Sequence, residues 1–257
     1  MTSTSARNAP GRGPARLWAA LVWLAVWQAA SWALGQRLLL PSPAEVLLCL
    51  GRMAATAGYW QTLARSAGRI LCGFLAALTA GAALAALSTR YRPVRTLLHP
   101  LVAAVKAVPV VSFIILALVW LPSRRLSVFI SALMAFPVIY LNLLEGAGRT
   151  DPQLLEMARV FRVPLRRRLR DLYIPQVLPW LRSACSLGMG LCWKSGAAAE
   201  VIGLPAGTVG EGLYHAKIYL ETPELFAWTV SIVAAAAAME RLTTLALDRL
   251  EKRGEHR

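Results

Sequence analysis

The sequence predicts an all-α polytopic membrane protein of six spans, and three observations carry that prediction. Hydrophobic residues fill 57% of the 257 positions, mean hydropathy is +0.52, and only 16% of positions are charged. A soluble domain carries about a quarter charged residues. The apolar positions gather into runs, most of them near the roughly 20 residues that a helix needs to cross a bilayer. The 28 Lys and Arg residues, which leave a net charge of +15, cluster between those runs. That is the pattern of topology signals, and it argues against a nucleic-acid-binding face.

Residues 1–15, rich in Ser, Thr, Ala, Gly and Pro, read as a disordered basic tail. Leu17–Leu34 is the first run, broken only by Gln28 and rich in Trp. A cleaved signal peptide is the competing reading; no soluble domain follows and further apolar runs do, so the run is taken as a retained span. Ser42-Pro43-Ala44-Glu45 is a capping box, which starts a short helix at Pro43 with Tyr59 and Trp60 near its end at the membrane interface. Arg65 and Arg69, one turn apart, lead into the second run, Ile70–Leu87, where long arginine side chains can snorkel to headgroups.

After the basic loop Ser88–Thr96 comes the third run, Leu97–Leu121, about 37 Å long if fully helical, with Lys106 and Pro109 inside it. Pro122–Arg125 reads as a tight turn, Leu126–Leu144 as the fourth run with Pro137 inside, and Leu178–Ala199 as the fifth. Glu200–Glu221 carries four glycines and a proline and reads as a structured outer loop. Thr222-Pro223 begins the last helix, whose strongly apolar part, Phe226–Met239, must borrow flanking residues to cross. The division is therefore a tail over 1–15, a transmembrane domain over 16–250 and a polar tail over 251–257. Six spans put both termini on one side, and the loops there hold 19 of the 28 basic residues, which makes that side cytoplasmic; Arg124-Arg125 runs against the rule. Cys49, Cys72, Cys185 and Cys192 lack metal spacing and the three histidines are scattered, so neither a metal nor a cofactor is expected.

Between the fourth and fifth runs lies a polar, arginine-heavy island, Asp151–Pro179. Asp151-Pro152 is a helix start, with Asp as N-cap and Pro at the first position. Leu155, Ala158 and Phe161 follow on one face, with Glu156 and Arg159 on the other. Val163-Pro164 interrupts that helix, since the residue before proline is pushed out of the α region. A second short basic helix then closes at Ile174-Pro175. The order Glu156-Met157-Ala158, Arg162, Leu172, Ile174-Pro175 is similar to the EAA loop of bacterial ABC-importer permeases: Glu-Ala-Ala, three residues, Gly, nine residues, an aliphatic residue, one residue, Leu-Pro. Met157 stands for the first Ala and Arg162 for the Gly, so the turn that Gly supplies is expected from Val163-Pro164 instead. The resemblance implies an ATPase-coupling loop over 149–179, with Glu156, Met157, Ala158, Arg162, Pro164 and Pro175 as its key positions.

Trp193-Lys194-Ser195-Gly196-Ala197-Ala198-Ala199-Glu200-Val201-Ile202-Gly203 resembles the W-K-x-x-x-A-A-E-x-x-G stretch of nitrate/sulfonate/taurine-type permeases. The likeness runs on through Gly210, Leu213-Tyr214, Lys217–Leu220 and Leu225–Trp228, and the Leu40–Leu47 segment is similar too. Ionisable groups at membrane depth face a cavity or a partner. Lys194 and Glu200, six residues apart, sit about 120° apart on a helix and so do not pair directly. Lys106, Pro109, Trp193, Lys194 and Glu200 are expected to line or gate a translocation path, with the two lysines favouring an anionic solute. The competing reading makes the charged residues helix–helix pins or snorkels.

What the resemblance implies is the type I ABC-importer permease fold in a bacterial inner membrane. Its partners would be two copies of an ABC ATPase, an external substrate-binding protein, a second permease subunit (as a homodimer or with a paralogue) and membrane lipid. No GxxxxGK[ST] loop is present, so ATP hydrolysis would lie in the separate subunit. Two other readings compete. An intramembrane serine protease could use Ser195 and His215, but Trp193 occupies the place of the glycine that a nucleophile turn needs. A non-transporting assembly factor would leave the spacing of the loop unexplained.

Overall fold

The computed structural model describes residues 12–36 and 38–255, which are helical throughout apart from short connections. The order is α1 (Arg12–Leu34), α2 (Pro43–Ala54), α3 (Ala57–Arg90), α4 (Arg92–Ala107), α5 (Val110–Trp120), α6 (Ser123–Gly148), α7 (Pro152–Val160), α8 (Leu165–Arg168), a π-helical turn (Leu169–Tyr173), α9 (Ile174–Gly203), α10 (Val209–Ile218) and α11 (Thr222–Glu255). Among the described residues, α3, α6 and the Thr222–Arg249 part of α11 are long and apolar enough to cross a membrane. The bent pair α4–α5 adds a fourth span if counted as one. The count of six rests on two further helices: α1, apolar over Trp18–Leu34, and α9, which is 30 residues long but interrupted by Arg182, Lys194 and Glu200.

The centre of the bundle is α6, flanked by α3 and α9. Packing in a bilayer relies on close backbone approach, since lipid is as apolar as leucine. Here a stripe of small residues at four-residue spacing on α3, Gly73, Ala77, Gly81 and Ala85, is buried. A Cβ on Gly73 would sit 2.6 Å from the Val128 carbonyl oxygen of α6, so only glycine lets the helices meet there. Phe74, Ile139, Tyr140, Met189 and Trp193 fill the core beside the stripe. Polar pins cross it: Tyr140 donates to Ser88 Oγ at 3.0 Å, and Ser131 donates to the Cys192 carbonyl at 3.0 Å. The last helix, α11, is held to α9 by Arg182–Asp248 at 2.9 Å and to α3 by Tyr59 OH donating to Ser231 Oγ at 2.8 Å. Cys185 and Cys192 are buried core residues.

Several boundaries differ from expectation for physical reasons. The third run is not one tilted span: α4 and α5 meet at 106°. Val108 is held extended by the proline that follows, and Pro109 has no N–H to continue the helix. The Ser42/Glu45 capping box is present, but α2 ends at Ala54, and Tyr59 and Trp60 belong to α3, which Thr56 caps. Pro122 is no turn residue; it is the N-cap of α6, which passes through the buried Pro137 unbroken. The second basic helix does not close at Ile174-Pro175. Its single turn, α8, runs through the π turn into α9, where Pro175 sits in the first turn and needs no N–H. The segment expected as an outer loop contains α10, and Glu200 lies within α9.

Candidate functional site

Two polar constructions stand at opposite ends of α9, whose 30 residues separate them by about 45 Å. The first is the elbow made by α7 and α8. Asp151 begins it: its Oδ1 accepts the Gln153 N–H at 2.8 Å, while its own N–H donates to Gln176 Oε1 on α9 at 2.9 Å. Beneath, the Trp180 ring covers Gly146 so closely that a Cβ there would sit 2.6 Å from it, and the Arg149 guanidinium lies 5.0 Å above the same ring. The elbow is thus fastened to the first turns of α9.

The bend itself is made where glycine was missing. Arg162 takes φ +48°, the left-handed conformation, and the Val163 N–H donates to the Ala158 carbonyl at 2.9 Å. This is a Schellman-type helix end, so the bend falls on Arg162 and not on Val163-Pro164 as expected. Ala158 is buried, whereas Glu156 and Pro164 are exposed. Met157, Val160 and Phe161 present apolar surface to the outside, the last two 74% exposed. Phe161 therefore does not share the buried face of Ala158. Pro175 is exposed at the base of α9.

At the far end, Glu200 is fully buried. Its Oε2 accepts from Ser66 Oγ of α3 at 2.6 Å, and the same Ser66 oxygen accepts the Val209 N–H of α10 at 2.9 Å. Gly210 packs directly on the Glu200 backbone, where a Cβ would collide. Glu200 Oε1, Ser127 Oγ and Arg69 Nη1 are buried nearby without a protein hydrogen-bond partner among the described residues. Charge and hydroxyls thus converge from α3 and α6 on one carboxylate of α9, with the start of α10 packed against it. Sequence reasoning named Glu200, and Gly210 only as part of the family likeness, but missed Ser66 and Ser127. Ser66 and Arg69, one turn apart on α3, carried the only local hint.

The remaining candidates are spread out. Trp193 lies in the core, its Nε1–H directed at Met239 Sδ of α11 at 3.2 Å. Lys194 is exposed between the buried Trp193 and Ser195. Lys106 is exposed on α4 and lines, with Arg95 and His99, a small cavity of about 210 Å³ against Tyr140 of α6; Pro109 is exposed at the α4–α5 bend. Lys106 thus lines a cavity on α4, while Lys194 and Glu200 lie on α9, the one exposed and the other fully buried. The Ser195 hydroxyl donates back to the Leu191 carbonyl at 2.7 Å, and His215 stacks on Tyr219 beside Glu211, so neither is arranged as half of a dyad.

Residues 70–255 match the family described as binding-protein-dependent transport system inner membrane component. The chain is similar to the putative aliphatic sulfonates transport permease protein SsuC of Escherichia coli, 29% identical over 88% of this chain and 86% of that protein. The taurine transport system permease protein TauC of the same organism is 26% identical over 89% of this chain and 83% of its own length. The putative SsuC of Bacillus subtilis is 26% identical over 80% and 75% respectively.

Proposed function

The chain belongs to the family of binding-protein-dependent transport system inner membrane components, and on that premise we propose that it forms half of the translocation path of an importer for a small anionic solute. It is a multi-pass permease subunit of an ABC importer of the nitrate/sulfonate/taurine type, not an enzyme, and its partners are an ATPase and a binding protein. The residue roles, the stoichiometry and the solute are the proposed part. An anionic solute is supported by the sulfonates and taurine named for the relatives and by Lys106 and Lys194, which are exposed on α4 and α9.

One observation carries the coupling role: Met157, Val160 and Phe161, on and just after a nine-residue helix, are exposed, and the start of that helix is tied to α9. Exposed apolar side chains ringed by charge outside the spans suit a protein partner. In this reading each ATPase subunit grips one elbow, through Glu156, Met157 and the neighbouring apolar residues, over segment 149–179. Closure of the ATPase pair on ATP draws two elbows together. The Asp151–Gln176 tie and the Trp180 contact pass that movement to α9, and α9 carries it to the Glu200 end. Ala158, Arg162, Pro164 and Pro175 act by shaping the elbow.

Six helical spans are too few to enclose a path alone, so a second copy or a paralogue completes it, with two ATPase subunits below. The clustering of basic residues in the loops supports a cytoplasmic side for both termini and the elbow, and α10 then faces the binding protein. Lys106, Pro109, Trp193, Lys194 and Glu200 bias the path between its two states, Trp193 and Glu200 by pinning α9. Glu156→Lys tests the coupling role: the variant is expected to assemble in the membrane yet lose most of its co-purification with the ATPase. Undiminished co-purification overturns the docking role of the elbow.

A further inference from the structure

The Glu200 end holds a feature that neither the elbow nor the carboxylate accounts for. A cavity of about 570 Å³ opens there between α3, the start of α6 and the turn after α9. Arg65 and Arg69 of α3 and Arg124 of α6 line it, with Ser123, Leu204, Pro205 and Ala206. None of these lining residues is acidic. Of the carboxylates around this turn, Glu200 faces Arg69 and accepts from Ser66, and Glu211 accepts the Gly207 N–H at 2.6 Å. Arg65 and Arg124 are exposed, while Arg69 is half-buried with its Nη1 lacking a protein partner among the described residues.

Arg69 is balanced by the buried Glu200, but no acidic residue lines the cavity beside the exposed Arg65 and Arg124, which add like charge to it. They also sit at the end of the bundle where the distribution of basic residues runs against them. The turn is shaped to admit one of them. Leu204 and Gly207 both take positive φ, +47° and +70°, and a Cβ at Gly207 would fall on the Arg65 guanidinium. Only glycine both takes that turn and leaves the space Arg65 fills.

We propose that this cavity is a receiving site for a small oxyanion, a sulfonate or similar group, that guanidinium forks hold before it enters the bundle. The proposal rests on the importer reading and adds a site to it. Planar guanidinium groups pair bidentately with tetrahedral and planar oxyanions. The cavity lies within the roughly 300–1,000 Å³ of small-molecule sites. A funnel of one sign of charge raises the local concentration of its counter-ion. The phosphate of a lipid headgroup offers the same chemistry, so the test must separate a soluble anion from a lipid.

The test uses the whole permease–ATPase complex in nanodiscs, with Ala206→Cys placed in the cavity in a Cys49→Ser/Cys72→Ser background. Modification rates are compared for an anionic and a cationic methanethiosulfonate reagent of similar size, each normalised to its rate on a free thiol. The expected result is about tenfold or greater preference for the anionic reagent. That preference should collapse toward unity in Arg65→Gln/Arg124→Gln and return in Arg65→Lys/Arg124→Lys. Methanesulfonate should protect the cysteine in purely zwitterionic lipid. No charge preference, or no protection by methanesulfonate, overturns the proposal, as does protection that requires anionic lipid. None of these readouts depends on transport, so failure here leaves the importer reading standing. Loss of solute uptake with an intact charge preference would count against that reading alone.

Discussion

Ser66 joins α3 to α9 by donating to Glu200 Oε2 at 2.6 Å, and its oxygen at the same time accepts the first amide of α10, Val209 N–H, at 2.9 Å. One hydroxyl therefore serves a buried carboxylate and a buried helix start together. Ser66→Ala leaves both short of a partner, and an unsatisfied buried polar group costs about 1–3 kcal/mol. The purified complex is expected to unfold at a lower temperature, with α10 more open to proteolysis. An unchanged melting temperature would refute the pin. Glu200→Gln keeps the shape and an acceptor for Ser66, so it should assemble better than Ser66→Ala; normal assembly with lost uptake would show that the charge itself serves transport.

The approach of α3 to α6 gives a paired test within one helix. Gly73 lies against the Val128 carbonyl and the Ser131 Cβ, at 2.6 and 2.8 Å from where its own Cβ would be, while Gly68 has nothing within 4 Å. Gly73→Ala must push two backbones apart and should lower thermal stability and expression. Gly68→Ala should be neutral or stabilising by about 0.5–1 kcal/mol, since a mid-helix glycine gives up more chain entropy on folding than alanine. Equal behaviour of the two variants in a thermal unfolding assay would contradict the packing described.

Arg162 is the non-glycine residue at the elbow, with φ +48°. A left-handed conformation costs a residue with a Cβ about 1–2 kcal/mol. Arg162→Gly is expected to tighten the elbow, shown by slower proteolysis between α7 and α8. Arg162→Val, with its branched Cβ, should loosen it and lower ATPase co-purification. Faster cleavage of the glycine variant would mean that the arginine side chain, not the backbone, holds the bend.

The all-helical membrane class was readable because its signal is compositional: runs of apolar residues punctuated by arginine. The elbow was readable by residue spacing, and Asp151 caps it as expected. Where expectation failed, the deciding contact was either long-range or a matter of degree in the backbone. Pro109 announced a kink, but the 106° between α4 and α5 comes from two consecutive extended residues, which no periodicity reports. Pro137 has the same identity, yet α6 continues through it, buried on its neighbours. Glu200 was conspicuous as a charge at the end of an apolar run, whereas Ser66 is 134 positions away and resembles any small residue on a helix. Lys106 and Lys194 were legible as exceptions to apolarity, but their separation in the fold was not.

The apolar face of the elbow makes a sharper prediction than its charge. Met157 is 48% exposed and Phe161 74% exposed, and one apolar hot spot at a protein interface contributes about 2 kcal/mol or more. Met157→Asp/Phe161→Asp should weaken ATPase association by about thirtyfold or more, since 1.4 kcal/mol is a factor of ten. Gln153→Asp, also exposed but at the capped start of α7, should bind normally. Titration of the ATPase against nanodisc-held permease separates the cases. Equal affinities across the three proteins would place the contact elsewhere.

Orientation decides whether that contact is available at all. Of the 28 Lys and Arg residues, 19 fall in the segments that six spans would put with the termini, and basic residues near span ends stay on the cytoplasmic side. Arg65, Arg69 and Arg124 at the opposite end oppose the trend but are outnumbered. A cysteine at Gln153, exposed in the first turn of α7, reports the side directly in the Cys49→Ser/Cys72→Ser background. A membrane-impermeant maleimide should label it in inside-out vesicles and spare it in intact cells, with Ala206→Cys giving the reverse pattern. Labelling of Gln153→Cys in intact cells would turn the bundle over, and the elbow could then touch no ATPase.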